Sequence, residues 1–174
     1  MPDAQTTKFF QNRVETALRE HSTRSNQFGK NIWDHLHFAS CQLEEEPGSQ
    51  GSAKPRRKAT VIVEATVRED WLNPVGVLHG AATAYLVDIC TSLPLMALST
   101  DDFWAGLGGL SQNMNILYHA PAPLGTKLKI ISETLNVGRS VANMRCQIVD
   151  ASTGKLIASG THSKVAKNPM AAKL

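Results

Sequence analysis

The stretch NPVGVLHGAATAYLVDICTSLP, from Asn73 to Pro94, constrains the fold more than any other part of the chain. It is mostly apolar around its whole circumference and reads as one long buried helix, and such a helix needs a sheet to cover it. A core helix has no ordinary use for a carboxylate, yet Asp88 sits in its middle. Burying a carboxylate without a partner is costly, so Asp88 requires a reason. Asn73, His79 and Gly80 crowd the start of the same stretch.

The flanking sequence supplies the sheet. Residues 4–22 carry Phe10, Val14 and Leu18 at four-residue spacing, with Phe9 and Ala17 widening the stripe, which predicts an amphipathic helix. Ser22 to Lys30 is polar and loop-like, and Trp33 to Phe38 reads as a short turn or helix. HFASCQLEEE alternates as a strand, PGSQGSAKPRRK has the composition of a hairpin loop, and ATVIVEATVRE is rich in β-branched residues. After the long helix, TDDFWAGLGG reads as a loop. Four β segments follow, Leu110–Tyr118, Lys127–Leu135, Val141–Val149 and Leu156–Val165, with Pro and Gly turn chemistry between them. Short turns predict that these four form an antiparallel meander. The economical architecture is α+β: one curved antiparallel sheet wrapped around one central helix, the hotdog fold. This divides the chain into an N-terminal helical extension (1–36), a hotdog domain (37–167) and a tail (168–174).

Composition removes several other classes. With 42% hydrophobic and 19% charged residues, the chain has the balance of an ordinary globular domain. A net charge of +3 without a recognition motif gives no case for nucleic acid. Cys41, Cys90 and Cys146 are odd in number and far apart, which suits structural thiols in a reducing compartment. No membrane span is expected, because the one candidate stretch contains His79, Asp88 and Pro94. The terminal Ala172-Lys173-Leu174 is a conservative variant of the Ser-Lys-Leu peroxisomal address, so an import receptor is an expected partner. Without that address, the expectation is cytoplasmic or mitochondrial. His35-x-His37 lacks a third ligand, and no metal site is expected.

Several separated motifs occur in one order: N-x-x-G-x-L-H-G-A from Asn73, L-V-D ending at Asp88, G-x-S-x-x-M-N-I-x-Y from Gly109, and T-G-K-L-I-A-x-G from Thr153. This set resembles the acyl-CoA thioesterases of the hotdog superfamily, in particular the group that includes thioesterase superfamily member 2 and the phenylacetate-pathway thioesterases. The resemblance covers roughly residues 58–167. It implies hydrolysis of an acyl-CoA thioester, with coenzyme A entering only as part of the substrate and no separate cofactor.

Gly80 and Asp88 are eight residues apart, roughly 12 Å along a helix axis, so one carbonyl cannot touch both. If both act, they come from two antiparallel copies of the helix across a two-fold axis. The resemblance implies the same homodimer, and a homotetramer built from two of them. A free N–H at a helix N-terminus is a ready oxyanion donor, and Gly80 lets a substrate approach its backbone closely. Asn73 offers a side-chain amide to the carbonyl or a water, or is simply a turn residue before Pro74. His79 fixes the turn or a hydrogen bond there. Asp88 is the base or the nucleophile, and Ser111 holds the attacking water.

The resemblance places catalysis at Asn73, Asp88 and Ser111, carbonyl polarisation at Gly80, and acyl or pantetheine contacts at Ser111, Asn113 and Tyr118. Alternation along Leu110–Tyr118 sets Ser111, Asn113 and Asn115 on the face opposite Met114, Ile116 and Tyr118. The turn Asn136, Val137, Gly138, Arg139, Ser140 offers backbone amides and a guanidinium to a phosphate, and the resemblance gives it the nucleotide end of coenzyme A. His162 and Lys164 are weaker candidates for that pocket, and the basic run Lys54–Lys58 is a solvated loop or a steering patch.

Three departures stand out: Ala81 where His-Gly-Gly is usual, Asn113 where relatives often carry Asp, and a longer loop holding Phe103 and Trp104. That loop either roofs an acyl tunnel or packs on the surface. Two alternatives stay open: a hotdog hydratase or dehydratase, and a non-catalytic acyl-CoA-binding module.

Overall fold

The computed structural model describes residues 4–23, 28–46, 56–100, 103–104 and 108–166. The chain runs α1 (Ala4–Thr23), α2 (Lys30–Trp33), β1 (His37–Glu46), β2 (Arg56–Thr66), a 3-10 turn (Glu69–Trp71), α3 (Gly80–Leu98), β3 (Leu110–Tyr118), β4 (Lys127–Val137), β5 (Val141–Asp150) and β6 (Leu156–Val165). The expected α+β architecture is present: six antiparallel strands in one sheet, packed against one long helix, with the helical extension in front. The terminal tripeptide, Lys54 and Pro55 of the Lys54–Lys58 run, and part of the 100–106 loop lie outside the described residues.

α3 is buried nearly all round, with Leu86, Val87, Ile89, Cys90, Leu93, Leu95 and Ala97 inside. It is long and apolar enough to cross a membrane by length and composition, and here it packs against β2, β4, β5, β6 and α1. Its limits differ from the sequence reading. Asn73 to Leu78 form a turn instead of a first helical turn, because the Asn73 side chain closes the backbone on itself. Past Pro94 the helix continues to Leu98. A proline inside a helix costs about 3 kcal/mol, and burying Leu93, Leu95 and Leu98 is worth more than that.

The sheet order is β1-β2-β4-β5-β6-β3. Only β4, β5 and β6 form the expected meander. β3 pairs with β6, not with its successor β4, and becomes a sheet edge. The segment 119–126 is therefore a crossover connection rather than a hairpin turn. β3 is exposed along almost its whole length, Leu110, Leu117 and Tyr118 included.

The extension belongs to the same core. Phe10, Val14 and Leu18 of α1, and Ile32 and Trp33 of α2, join the cluster that contains Leu86 and Cys90. The three cysteines are buried free thiols, and burial pushes Cys41 up to about 11 and Cys146 up to about 12.

Candidate active site

The first part of the site is the turn before α3. Asn73 Oδ1 accepts from the backbone N–H of Val75 (3.1 Å) and Val77 (3.2 Å), an Asx turn that fixes the approach to the helix. The Asn73 side chain is thus a turn former through its oxygen, while its amide nitrogen makes no hydrogen bond among the described residues. His79 is the N-cap: its Nδ1 accepts from Ala81 N at 2.9 Å, and its backbone N–H donates to Trp71 O at 2.8 Å. Its backbone carbonyl takes the Thr83 N–H and hydroxyl. Gly80, the first helical residue, keeps a backbone N–H with no acceptor among the described residues, at the positive end of the helix dipole.

Tyr118, at the far end of β3, donates its hydroxyl to Gly80 O at 3.2 Å. A Cβ added at Gly80 would have the Tyr118 side chain nearest to it, at 3.7 Å. Asn73, Gly80, Thr83, Tyr118 and His119 line one cavity of about 360 Å³.

The second part lies two turns along α3. The Asp88 side chain is 39% exposed, so it flanks the core rather than sitting in it. Ser111 Oγ donates to Asp88 Oδ1 at 3.3 Å. His162 Nε2 and Lys164 Nζ approach the same oxygen at 3.8 and 4.0 Å. Oδ2 makes no hydrogen bond among the described residues. His162 is fully buried and its Nδ1 is 2.7 Å from Thr91 Oγ1, while its Nε2 has no hydrogen-bond partner.

Thr91 has a single hydroxyl proton and also lies 2.7 Å from Val87 O. Donated to that carbonyl, the proton leaves Nδ1–H to donate to Thr91 and an unprotonated Nε2 facing Asp88. Burial, then the charge of Lys164, hold His162 down to about 4 against the pull of Asp88, so the ring is neutral at pH 7. Burial also lowers Lys164, with Asp88 opposing.

His162 and Lys164, weaker candidates for the phosphate pocket in the sequence, stand behind Asp88. Their alternation on β6 was the available signal, since both fall on the inward face. Strand alternation on β3 holds from Asn113 to Tyr118 and departs only at Ser111. A bulge between Ser111 and Asn113 makes Ser111 pair with Lys164 and Asn113 with Ser163. Ser111 and Tyr118 consequently share the α3-facing side, whereas exposed Asn113 shares the outward side with Ser163.

The β4–β5 turn lies near this second part, since Ala142 pairs with Lys164. Gly138 N donates to Val141 O at 2.9 Å, and Ser140 O takes the Ala166 N–H at 2.9 Å. Asn136, Arg139 and Ser140 are exposed, and Val137 packs inward. Trp104 is buried with Leu95, Ala142 and Met144 and donates its indole N–H to Gly138 O at 2.9 Å. It braces the turn and takes no part in the cavity at the helix start. Among the described residues no group of three His, Cys, Asp or Glu side chains is arranged to hold a metal.

Comparison with known proteins gives the family of the chain. The sequence profile of the thioesterase superfamily matches residues 75–157. Human acyl-coenzyme A thioesterase 13 is 38% identical over 104 residues, 60% of this chain and 71% of that protein. The mouse protein of the same name is 37% identical over 113 residues, 65% and 75% of the two chains. Among solved structures, zebrafish thioesterase superfamily member 2 superposes with a TM-score of 0.71 at 28% identity, covering 90% of this chain and 97% of that one. Mouse thioesterase superfamily member 2 gives 0.55 at 35% identity, covering 62% and 81%.

Proposed function

The chain belongs to the thioesterase superfamily, and from that premise we propose that it hydrolyses acyl-CoA thioesters to a free carboxylic acid and coenzyme A. The observation that carries the reading is Asp88, held through one oxygen by Ser111 with Lys164 and neutral His162 nearby, while its other oxygen is open.

Asp88 acts as general base. It takes a proton from a water held beside Ser111, and the water oxygen attacks the thioester carbon. The carbonyl oxygen becomes an oxyanion, which the Gly80 N–H and the Asn73 amide stabilise at the helix N-terminus. Collapse breaks the C–S bond, and the leaving thiolate takes the proton back from Asp88.

The two groups stand roughly 12 Å apart on one helix, so each site joins Gly80 and Asn73 of one protomer to Asp88 and Ser111 of its partner. The edge strand β3, with Leu110, Leu117 and Tyr118 exposed, supports a homodimer that continues the sheet across a two-fold axis. The resemblance extends this to a tetramer of two dimers. In that arrangement the 136–140 turn accompanies Asp88 and supports the nucleotide end of coenzyme A, with Arg139 exposed for a phosphate.

The test is thiol release from acyl-CoAs of graded length and branching, native against Asp88→Asn. Release that the substitution reduces about a thousandfold, with ester binding retained, supports the reading. Binding without release by the native protein would leave a non-catalytic module. Single turnover in oxygen-18 water separates base from nucleophile: label in the acid alone fits the base, and label in Asp88 fits an anhydride.

A further inference from the structure

We infer that a second cavity, on the opposite side of the α3 N-terminus, is the pocket for the acyl group, and that the N-terminal extension builds its selectivity for uncharged, apolar acyl chains. The inference rests on the proposed hydrolysis only for where the thioester carbonyl sits. The cavity measures about 360 Å³, at the small end of ligand pockets, which run from about 300 Å³ upward. His79 and Ala81 line it, while Gly80 between them lines the first cavity. A carbonyl held on the Gly80 N–H therefore stands on the ridge between the two spaces.

The two cavities differ in chemistry. The first offers Asn73, Thr83, Tyr118 and His119 and lies along the end of edge strand β3, where a partner protomer would bring Asp88 and the coenzyme A end. The second lies away from β3. Its walls are Phe28, Ile32, Leu72 and Tyr85, with buried Trp71 among them, and no Lys or Arg among the described residues lines it. Its polar edge is a hydrogen bond from Asn31 to Asp70 at 3.0 Å, which ties α2 to the 3-10 turn.

The extension is locked onto this wall. Gly29 has φ +68, and a Cβ there would stand 2.0 Å from the Tyr85 ring. The Tyr85 hydroxyl donates to Phe28 O and accepts from Trp33 Nε1 at 2.8 Å. Phe28 packs edge-on against Tyr85, with centroids 5.1 Å apart, yet is 83% exposed. An ordered aromatic ring left open beside an apolar cavity is explained if a ligand chain lies against it. Phe28 and Ile32 also fall outside residues 75–157, whereas Gly80, Asp88 and Ser111 fall inside, so the extension adds selectivity to a site whose base and backbone donor lie in the family-matched segment.

The experiment measures binding and turnover separately on the full-length protein. The probes are non-hydrolysable thioethers of coenzyme A with alkyl chains from butyl to dodecyl, and one six-carbon chain ending in a carboxylate. Native affinity should tighten roughly fourfold per methylene until the cavity is full, then level off, and the carboxylate-ended chain should lose that gain. Phe28→Ala, at an exposed position, should flatten the slope. Ala81→Leu should end the rise at a shorter chain. Slopes unchanged in both variants would overturn the pocket assignment while leaving hydrolysis intact. Length-dependent binding without thioester cleavage would remove the hydrolysis reading and leave the pocket standing, and no binding of any thioether would remove both.

Discussion

The two halves of the site sit on one helix and hold their chemistry by different means. At the start of α3, the groups that would meet a carbonyl are a backbone N–H and a side-chain amide. They are set by an Asx turn, an N-cap and the Tyr118 hydroxyl, with no charge among them. Two turns later the chemistry is ionisable: Asp88 meets Ser111, Lys164 and His162, and the ring behind it is kept neutral by burial. A donor set made of backbone and amide groups tolerates little change in geometry. A charge set tolerates change in its surroundings and is governed by them. The helix keeps the halves apart, so the proposed mechanism requires two protomers for a complete site.

Complementation breaks or sharpens that contrast most strongly. Asp88→Asn should cost about a thousandfold in kcat. Asn73→Asp keeps an oxygen for Val75 N and Val77 N but loses the amide donor, and should cost about a hundredfold. Co-expressed, half of the randomly paired dimers hold both variants. Each such dimer has one intact site, so activity should return to about a quarter of native. Activity that stays at the level of the separate variants would place both halves of the site in one protomer.

The ionisable half has a pH signature of its own. His162 titrates at about 4 in the fold against an ordinary value of 6.5. Between these values the unfolded chain binds a proton that the folded chain does not. Stability contributed by the neutral ring is thus complete above about 6.5 and is lost as pH falls toward 4, by on the order of 3 kcal/mol. The groups facing the ring are Thr91, Asp88 and Lys164. Urea unfolding from pH 7.5 to 4.5 should show this loss in the native protein and a flatter profile in His162→Gln. Parallel profiles would mean that the ring is accommodated as a cation.

Much of this was legible in the sequence, and its limits have physical causes. Periodicity found α1, the strands and the long helix, because burial imposes it directly. It ran the helix back to Asn73 because Asn73 to Leu78 are apolar in composition, whereas the Asn73 side chain, Gly76 at positive φ and the Leu72–Leu78 bridge turn them away from helix. It made β3 the neighbour of β4 because pairing depends on the whole sheet, not on the connecting residues. The bulge after Ser111 was invisible for a similar reason: one extra residue changes no pattern of types, yet it parts Ser111 from Asn113 and Asn115 and turns it onto Asp88. Asp88 itself was legible, since a carboxylate in an apolar run is conspicuous. The roles of His162 and Lys164 were not, because they depend on which strand lies across from α3.

The smallest predicted effect separates two readings of one residue. Asn73 is a turn former through Oδ1 and, in the proposed mechanism, a donor through its amide nitrogen. Asn73→Ala removes both and leaves the backbone N–H groups of Val75 and Val77 without their acceptor. These positions are exposed or half-buried, so water replaces the lost bonds in part, and stability should fall by about 1 kcal/mol. Asn73→Asp keeps the acceptor and should stay within about 0.5 kcal/mol of native. Both should lose activity to a similar degree, because both lack the donor. Thermal unfolding and kcat measured on the same two variants decide the matter. If Asn73→Asp retains native activity while Asn73→Ala loses it, then the turn is the whole contribution of Asn73, and the oxyanion rests on the Gly80 N–H and the helix dipole alone.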